Sequence, residues 1–218
     1  MPDLSAELAR ANLRTSLLGK RKALSAAEQD AASTALLQQL KPCLKAHGID
    51  GKSNGWVAGY LASRGEINVA PTLDWLRSLG WRTVLPVISV INEAPGLLFA
   101  PFNEQTPMKA GKFNIPIPDV PVTDYITAAE LDLVLVPLVG FDHTGNRLGM
   151  GGGYYDRTFA FRVGLSDSTE TKQHATEQVF IGVAHECQRV DTVPIENWDI
   201  PLQAVATDHS CYYPDGND

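Results

Sequence analysis

The run LDLVLVPLV, from Leu131 to Val139, constrains the fold of this chain more than any other stretch. It is short, largely β-branched or leucine, and almost wholly apolar. A strand with one wet face alternates apolar and polar residues, whereas one apolar throughout needs cover on both sides and belongs inside a sheet packed between helices. Other segments suit the same sheet. WVAGYLA (Trp56 to Ala62) and TVLPVISVI (Thr83 to Ile91) are short apolar runs; between them Val69 to Leu79 has helical spacing and closes at Gly80, giving a βαβ unit. Leu97 to Phe102, Val179 to Ala184 and Ala204 to Thr207 read as further strands, and Thr127 to Leu131 as a short helix. Strands alternating with helices predict an α/β fold: a single Rossmann-like, three-layer domain over residues 1–218, with a mostly parallel sheet flanked by helices.

The N-terminal part is helical by pattern. Leu4, Leu8, Leu13, Leu17 and Leu18 recur near helical spacing up to Lys22 without proline, and Ser25-Ala-Ala-Glu28 has the spacing of a capping box opening a second helix, expected to run to about Leu40 and to end near Pro42 and Gly48. Formal charge is −7, yet 11 Lys/Arg face 7 Asp/Glu up to Arg82, and 7 face 18 beyond it. Arg10, Arg14, Lys20, Arg21 and Lys22 fall in a stretch without acids, which suits either an anionic partner or a solvated helix face. Lys20, Arg21 and Lys22 could draw in an anion. No apolar run approaches the ~20 residues that span a bilayer, and no signal-peptide pattern opens the chain, so a cytoplasmic protein without membrane contact is expected. Three cysteines, Cys43, Cys187 and Cys211, without a CxxC pattern, fit free thiols; the His185/Cys187 and His209/Cys211 pairs lack zinc-finger spacing.

The segment NRLGMGGGYYDR, Asn146 to Arg157, follows the apolar strand and precedes a helical stretch expected from Tyr154 to about Val163. Gly149, Gly151, Gly152 and Gly153 let backbone N–H groups and a helix start approach an anion; a tight structural turn is the alternative. The string is neither a Walker A loop nor a dinucleotide fingerprint. Arg147 can fork onto a phosphate and Asp156 can hold a hard cation, or serve only as a first-turn acid. Arg10 and Arg14, four apart, share one helix face and can reach the same phosphate tail. Glu66 and Asp199 sit in loops at strand ends, where ligand groups concentrate and where solvated carboxylates are also common. The proline-rich stretch Asn92 to Thr123 is long enough to suggest a functional loop, and Ser166 to Glu177 an exposed one. No GxSxG, HExxH or Cys/His nucleophile pattern occurs, so catalysis is expected through positioning and charge neutralisation.

The run LVPLVGFDHTGNRLGMGGGYYDR, with FNIPIP, YLASRGEI and IGVAHECQRVDTVPIENWDIPLQAVATD, resembles the 5-formyltetrahydrofolate cyclo-ligase (methenyltetrahydrofolate synthetase) family over nearly the whole chain. The resemblance implies conversion of 5-formyltetrahydrofolate to 5,10-methenyltetrahydrofolate with ATP as co-substrate and Mg2+ as cofactor. It puts Arg10, Arg14 and Arg147 on the ATP phosphates, inside a loop, Arg147 to Tyr155, that wraps the nucleotide. Met150 to Tyr154 border the folate as well. Leu61, Glu66 and Phe113 match folate-contacting positions, Asp156 and Asp199 match magnesium ligands, and Arg147, Tyr154 and Asp156 are the catalytic candidates. Arg10 stands where some relatives have Lys, and Phe113 where some have Trp. The implied partners are folate and ATP, with no nucleic acid and a monomeric chain. Two rivals remain: a non-catalytic nucleotide- or folate-binding paralogue, separable by a cyclisation assay, and a sugar-phosphate isomerase or CoA-transferase-like enzyme, separable by which ligand stabilises the fold. Arg147→Ala and Asp156→Ala are expected to abolish most turnover with the fold intact.

Overall fold

A computed structural model describes residues 4–49, 54–91, 94–163 and 178–214. The chain runs α1 (Leu4–Lys22), α2 (Ala26–Ala46), β1 (Trp56–Ala58), α3 (Ala70–Ser78), β2 (Arg82–Ile91), β3 (Ala94–Pro101), β4 (Met108–Lys109), β5 (Ile117–Pro118), β6 (Leu133–Pro137), β7 (Gly140–Phe141), β8 (Arg147–Leu148), α4 (Tyr154–Thr158), β9 (Val179–Val183), β10 (Ala204–Ala206) and β11 (Cys211–Tyr212).

Seven strands form one sheet in the order β11-β10-β9-β6-β1-β2-β3. The five central strands are parallel, and β3 and β11 close the two edges antiparallel. Taken in chain order, the parallel strands lie 2-1-3-4-5, so the winding reverses between β1 and β6, and α/β sheets of this order bind ligands in the crevice outside the strand ends at that reversal. The apolar run explains the layering. Leu133 and Leu135 pack with α2 and α3 through Leu36, Leu40 and Leu76, while Val134 and Val136 pack on the other face with Phe99, Phe159 and Phe180. Helix α1 lies over the segment following β6, its Leu17 buried against Val139, Leu148 and Val193. No helix among the described residues is long and apolar enough to cross a membrane.

Helix α2 opens as its capping box predicts: the Ser25 N–H donates to Glu28 Oε2 at 2.8 Å, and the Glu28 N–H to Ser25 Oγ at 3.3 Å. It does not stop near Pro42, as expected, but continues to Ala46. An internal proline costs ~3 kcal/mol, but Leu40, Cys43 and Leu44 beyond and beside it are fully buried. Each buried leucine returns roughly 1.5–3 kcal/mol, so tertiary packing outweighs the local penalty. The strand expected over Trp56 to Ala62 ends at Ala58, and the residues after it leave the sheet as a loop. The strand expected at Leu97 starts earlier, at Ala94, because it pairs along its whole length with β2. The helix expected over Tyr154 to Val163 is a five-residue α-helix followed by a 3-10 turn, Ala160–Val163. Five residues align too few peptide dipoles to supply the helix-start attraction expected for an anion, which leaves backbone N–H groups and arginines to supply it. Ser166 to Glu177 and the residues after Pro214 lie outside the described residues.

Candidate active site

A cleft of about 1050 Å³ opens at the reversal between β1 and β6. Its walls come from α1, the loop after β1, the segment after β6, the glycine-rich loop, the β4–β5 hairpin and residues 196–199. Arg10, Arg14, Leu61, Glu66, Phe113, Arg147, Gly149, Met150, Gly151, Gly152, Gly153, Tyr154, Tyr155, Asp156 and Asp199 all line it. Positions up to 189 residues apart in the chain therefore share one cavity, because α1 folds back across the strand ends.

One flank is charged. Arg147 is 7% exposed; its Nη1 donates to Ile200 O at 2.8 Å and its Nη2 pairs with Asp156 Oδ1, which also accepts from the Ile200 N–H at 3.4 Å. Arg14 Nε donates to Gly149 O at 2.8 Å, tying α1 to the glycine-rich loop. Arg10 Nη1 donates to Pro194 O at 2.6 Å and lies 3.7 Å from Asp199 Oδ2, which accepts from the Glu196 N–H at 2.9 Å. Burial and then the Arg10 charge push the Arg14 guanidinium below its ordinary value, while Asp199 acts in the opposite sense. Gly151 and Gly153 have φ of +88° and +61°, a region that side chains other than glycine enter at a cost, so these two glycines set the loop's path.

The other flank is less charged. Glu66 sits in the turn after β1, its Oε2 accepting from the Ser63 N–H at 3.0 Å and from Ser63 Oγ at 3.2 Å. Leu61 and Met150 supply apolar wall. Phe113 is 62% exposed and holds φ of +58°, with Asn114 beside it at +60°. An aromatic residue in this region is an outlier costing on the order of 1–3 kcal/mol, and such strain gathers at ligand sites. Gly111 permits the path, since a Cβ there would stand 2.4 Å from Ile115 O. Tyr155 lies between the flanks: burial and then Glu66 push its phenol up, while Arg147 acts in the opposite sense. Burial and then Glu66 also push up the Tyr60 phenol. The Tyr60 hydroxyl donates to Ile67 O at 2.9 Å.

Three features of the site escape sequence reasoning. Arg21, read as a possible attractor of anions, is fully buried and points inward at Glu66; Lys20 and Lys22 alone of that trio face solvent. Asp142 is 2% exposed, and its carboxylate accepts from Thr144 N, Thr144 Oγ1, Asn146 N, Asn146 Nδ2 and Val193 N at 2.7–3.1 Å, fixing the turn between β7 and β8 that launches the glycine-rich loop. The DHTGN string, with Gly145 at φ +78°, carried that signal as an Asx-type turn. Lys112 and Trp198 also line the cleft; Lys112 has no motif to announce it, and Trp198 stands in the IENWDIPL string beside Asp199 without a titratable group to mark it. Among the described residues no three His, Cys, Asp or Glu side chains converge as a metal cage, and Cys43, Cys187 and Cys211 are free thiols.

The model of the 5-formyltetrahydrofolate cyclo-ligase family matches residues 6–208. The chain belongs to this family. The 5-formyltetrahydrofolate cyclo-ligase of Escherichia coli (strain K12) is 39% identical over 151 residues, 69% of this chain and 76% of that one. The cyclo-ligase of Haemophilus influenzae is 33% identical over 195 residues, 88% and 94% of the two chains. The solution structure of Aquifex aeolicus 5,10-methenyltetrahydrofolate synthetase superposes with a TM-score of 0.71 at 23% identity, covering 96% of this chain and 94% of that one, so the fold is shared. The Mycoplasma pneumoniae synthetase gives 0.64 at 25% identity, covering 92% and 99%. The cyclo-ligase family uses ATP and a folate, and the cleft stands at the upper end of the roughly 300–1,000 Å³ usual for small-molecule sites.

Proposed function

We propose that this cyclo-ligase family member converts 5-formyltetrahydrofolate to 5,10-methenyltetrahydrofolate, consuming ATP and releasing ADP and phosphate, with Mg2+ at Asp156 and Asp199. The observation that carries the reading is one cleft, among the described residues, whose charged flank holds Arg10, Arg14, Arg147, Asp156 and Asp199, whose other flank holds Leu61, Glu66 and Phe113, and between which runs the loop Gly149 to Tyr155.

The chemistry asks for what such a cleft offers. A formamide carbon resists capture by the folate's second nitrogen because its oxygen is a poor leaving group. Attack of the formyl oxygen on the γ-phosphorus expels ADP and leaves an imidate phosphate; the second nitrogen then adds to that carbon, loses its proton, and phosphate departs with the former formyl oxygen. No protein nucleophile is needed. The protein aligns two molecules and offsets charge on the transferring group. Arg147, held by Ile200 O, presents a fixed guanidinium to phosphate, with Arg10 and Arg14 along the tail. Gly151 to Gly153 bring backbone close to the phosphates, and Tyr154 and Met150 lie where nucleotide and folate meet.

Mg2+ fits the donor set: Asp156 Oδ2 and Asp199 Oδ1 carry no hydrogen bond among the described residues, and two carboxylates with phosphate oxygens and water make a usual magnesium complement. When bound, the ion neutralises phosphate charge.

The test is incubation with 5-formyltetrahydrofolate, ATP and Mg2+, following methenylfolate by its absorbance, with ATP or Mg2+ omitted as controls. Product only in the complete mixture is expected. No product there, or equal product without ATP, overturns the reading.

A further inference from the structure

Arg10, Arg14, Leu17 and Arg21 fall at intervals of four, three and four, one stripe along α1. The first two reach the charged flank of the cleft, and Leu17 is the buried anchor. Arg21, at the far end of the stripe, is 0% exposed, which demands that its charge be met by fixed partners. Its Nε donates to Arg64 O at 3.1 Å, its Nη1 to Leu138 O at 3.3 Å, and its Nη2 stands 3.6 Å from Glu66 Oε1. The guanidinium fork thus joins the turn after β1 to the end of β6, the two strand ends that bound the cleft. Gly65 seals the contact: at φ +79°, its Cβ position lies 3.2 Å from Arg21 O. With Oε2 of Glu66 held by Ser63 and Oε1 facing Arg21, the carboxylate has one orientation, although Glu66 itself lines the cleft.

We propose that Arg21 is a positioning residue for the folate: it never touches the ligand but fixes the Ser63–Glu66 turn and the direction of the Glu66 carboxylate. The inference rests on the assignment of Glu66 to folate made above. Arg10 and Arg14, on the same helix, are held to the charged flank by their own contacts with Pro194 O and Gly149 O, not through Arg21. Lysine cannot replace it fully, since a single ammonium lacks the planar fork that donates to two carbonyls while facing the Glu66 carboxylate as an ion pair.

The test reads the two ligands separately, by equilibrium binding of 5-formyltetrahydrofolate and of a non-hydrolysable ATP analogue to Arg21→Gln, Arg21→Lys, Glu66→Gln and Arg21→Gln/Glu66→Gln. Folate affinity is expected to fall about tenfold or more, 1.4 kcal/mol, in Arg21→Gln, and by less in Arg21→Lys, with ATP-analogue affinity unchanged. The double variant should bind folate no more weakly than the weaker single variant, because both changes remove one device. Additive losses, or equal losses for both ligands, reduce Arg21 to a general structural role and overturn the proposal. Should Arg21→Gln fail to fold, Arg21→Lys decides: unchanged folate affinity overturns it. A loss in Glu66→Gln with none in either Arg21 variant overturns this inference alone, whereas unchanged folate affinity in Glu66→Gln overturns it together with the folate assignment.

Discussion

Replacing Arg147 with alanine removes a proposed phosphate contact and a structural tie at once. The side chain is 7% exposed, and its fork holds Ile200 O and the Asp156 carboxylate, whose own side chain is 22% exposed. Breaking a buried pair from one side costs ~3–5 kcal/mol, and the partial exposure of Asp156 places this one near the lower bound, about 3 kcal/mol. At ~2–4 °C per kcal/mol for a domain of this size, Tm should fall by about 6–12 °C. Turnover should fall further than stability explains, by at least ~10³, the scale set by arginines that stabilise a transferring phosphoryl group. Thermal unfolding with and without ATP, then turnover well below the lowered Tm, separates the two effects. Arg147→Lys should recover part of the Tm and little of the turnover. A wild-type Tm refutes the tie to Ile200 and Asp156; wild-type turnover refutes the phosphate role. Sequence alone predicts an intact fold for Arg147→Ala, because nothing in the string NRLGMGGGYYDR reveals that the guanidinium is buried.

Other perturbations probe the supports of the cleft. In Gly151→Ala the new Cβ meets Arg14 Cζ at an ordinary 3.5 Å, so the penalty is the φ of +88°, roughly 1–2 kcal/mol, and ATP affinity measured by titration should weaken; unchanged affinity counts against the loop's role. Leu17→Ala, at 1% exposure, should cost ~2–5 kcal/mol and loosen α1, raising amide exchange along Arg10 to Arg21 and weakening ATP binding. Asp142 has a pKa below its ordinary value: burial pushes it up, but hydrogen bonds from Thr144, Val193 and Asn146 outweigh burial. Its stabilisation is therefore fully present above the unfolded carboxylate value, about pH 4, and is lost as pH falls through the lower folded value. Denaturant unfolding of wild type and Asp142→Asn should show a stability gap at neutral pH that narrows in acid; a gap independent of pH refutes the assignment.

The parallel core was readable because Leu131 to Val139 is apolar on both faces and only a covered central strand needs that. The glycine-rich loop was readable because its glycines and Arg147 are contiguous. What stayed hidden depends on distant partners. Arg21 looked like one more solvated cation, since its acceptors are the carbonyls of Arg64 and Leu138 and every residue has a carbonyl. Helix α2 outlasts Pro42 because Leu40, Cys43 and Leu44 are wanted in the core, a reward that no local propensity contains. Helix α4 is shorter than its sequence suggests for the converse reason: residues after Thr158 turn inward to bury Phe159 against Phe99 and Phe180 rather than extend the helix.

The fate of one oxygen atom tests the central claim most directly. With 5-formyltetrahydrofolate carrying 18O in its formyl group, attack of that oxygen on the γ-phosphorus predicts one 18O atom in each phosphate released, in step with methenylfolate formed. Unlabelled phosphate, with the label in water or kept in the folate, would contradict phosphoryl activation of the formyl group.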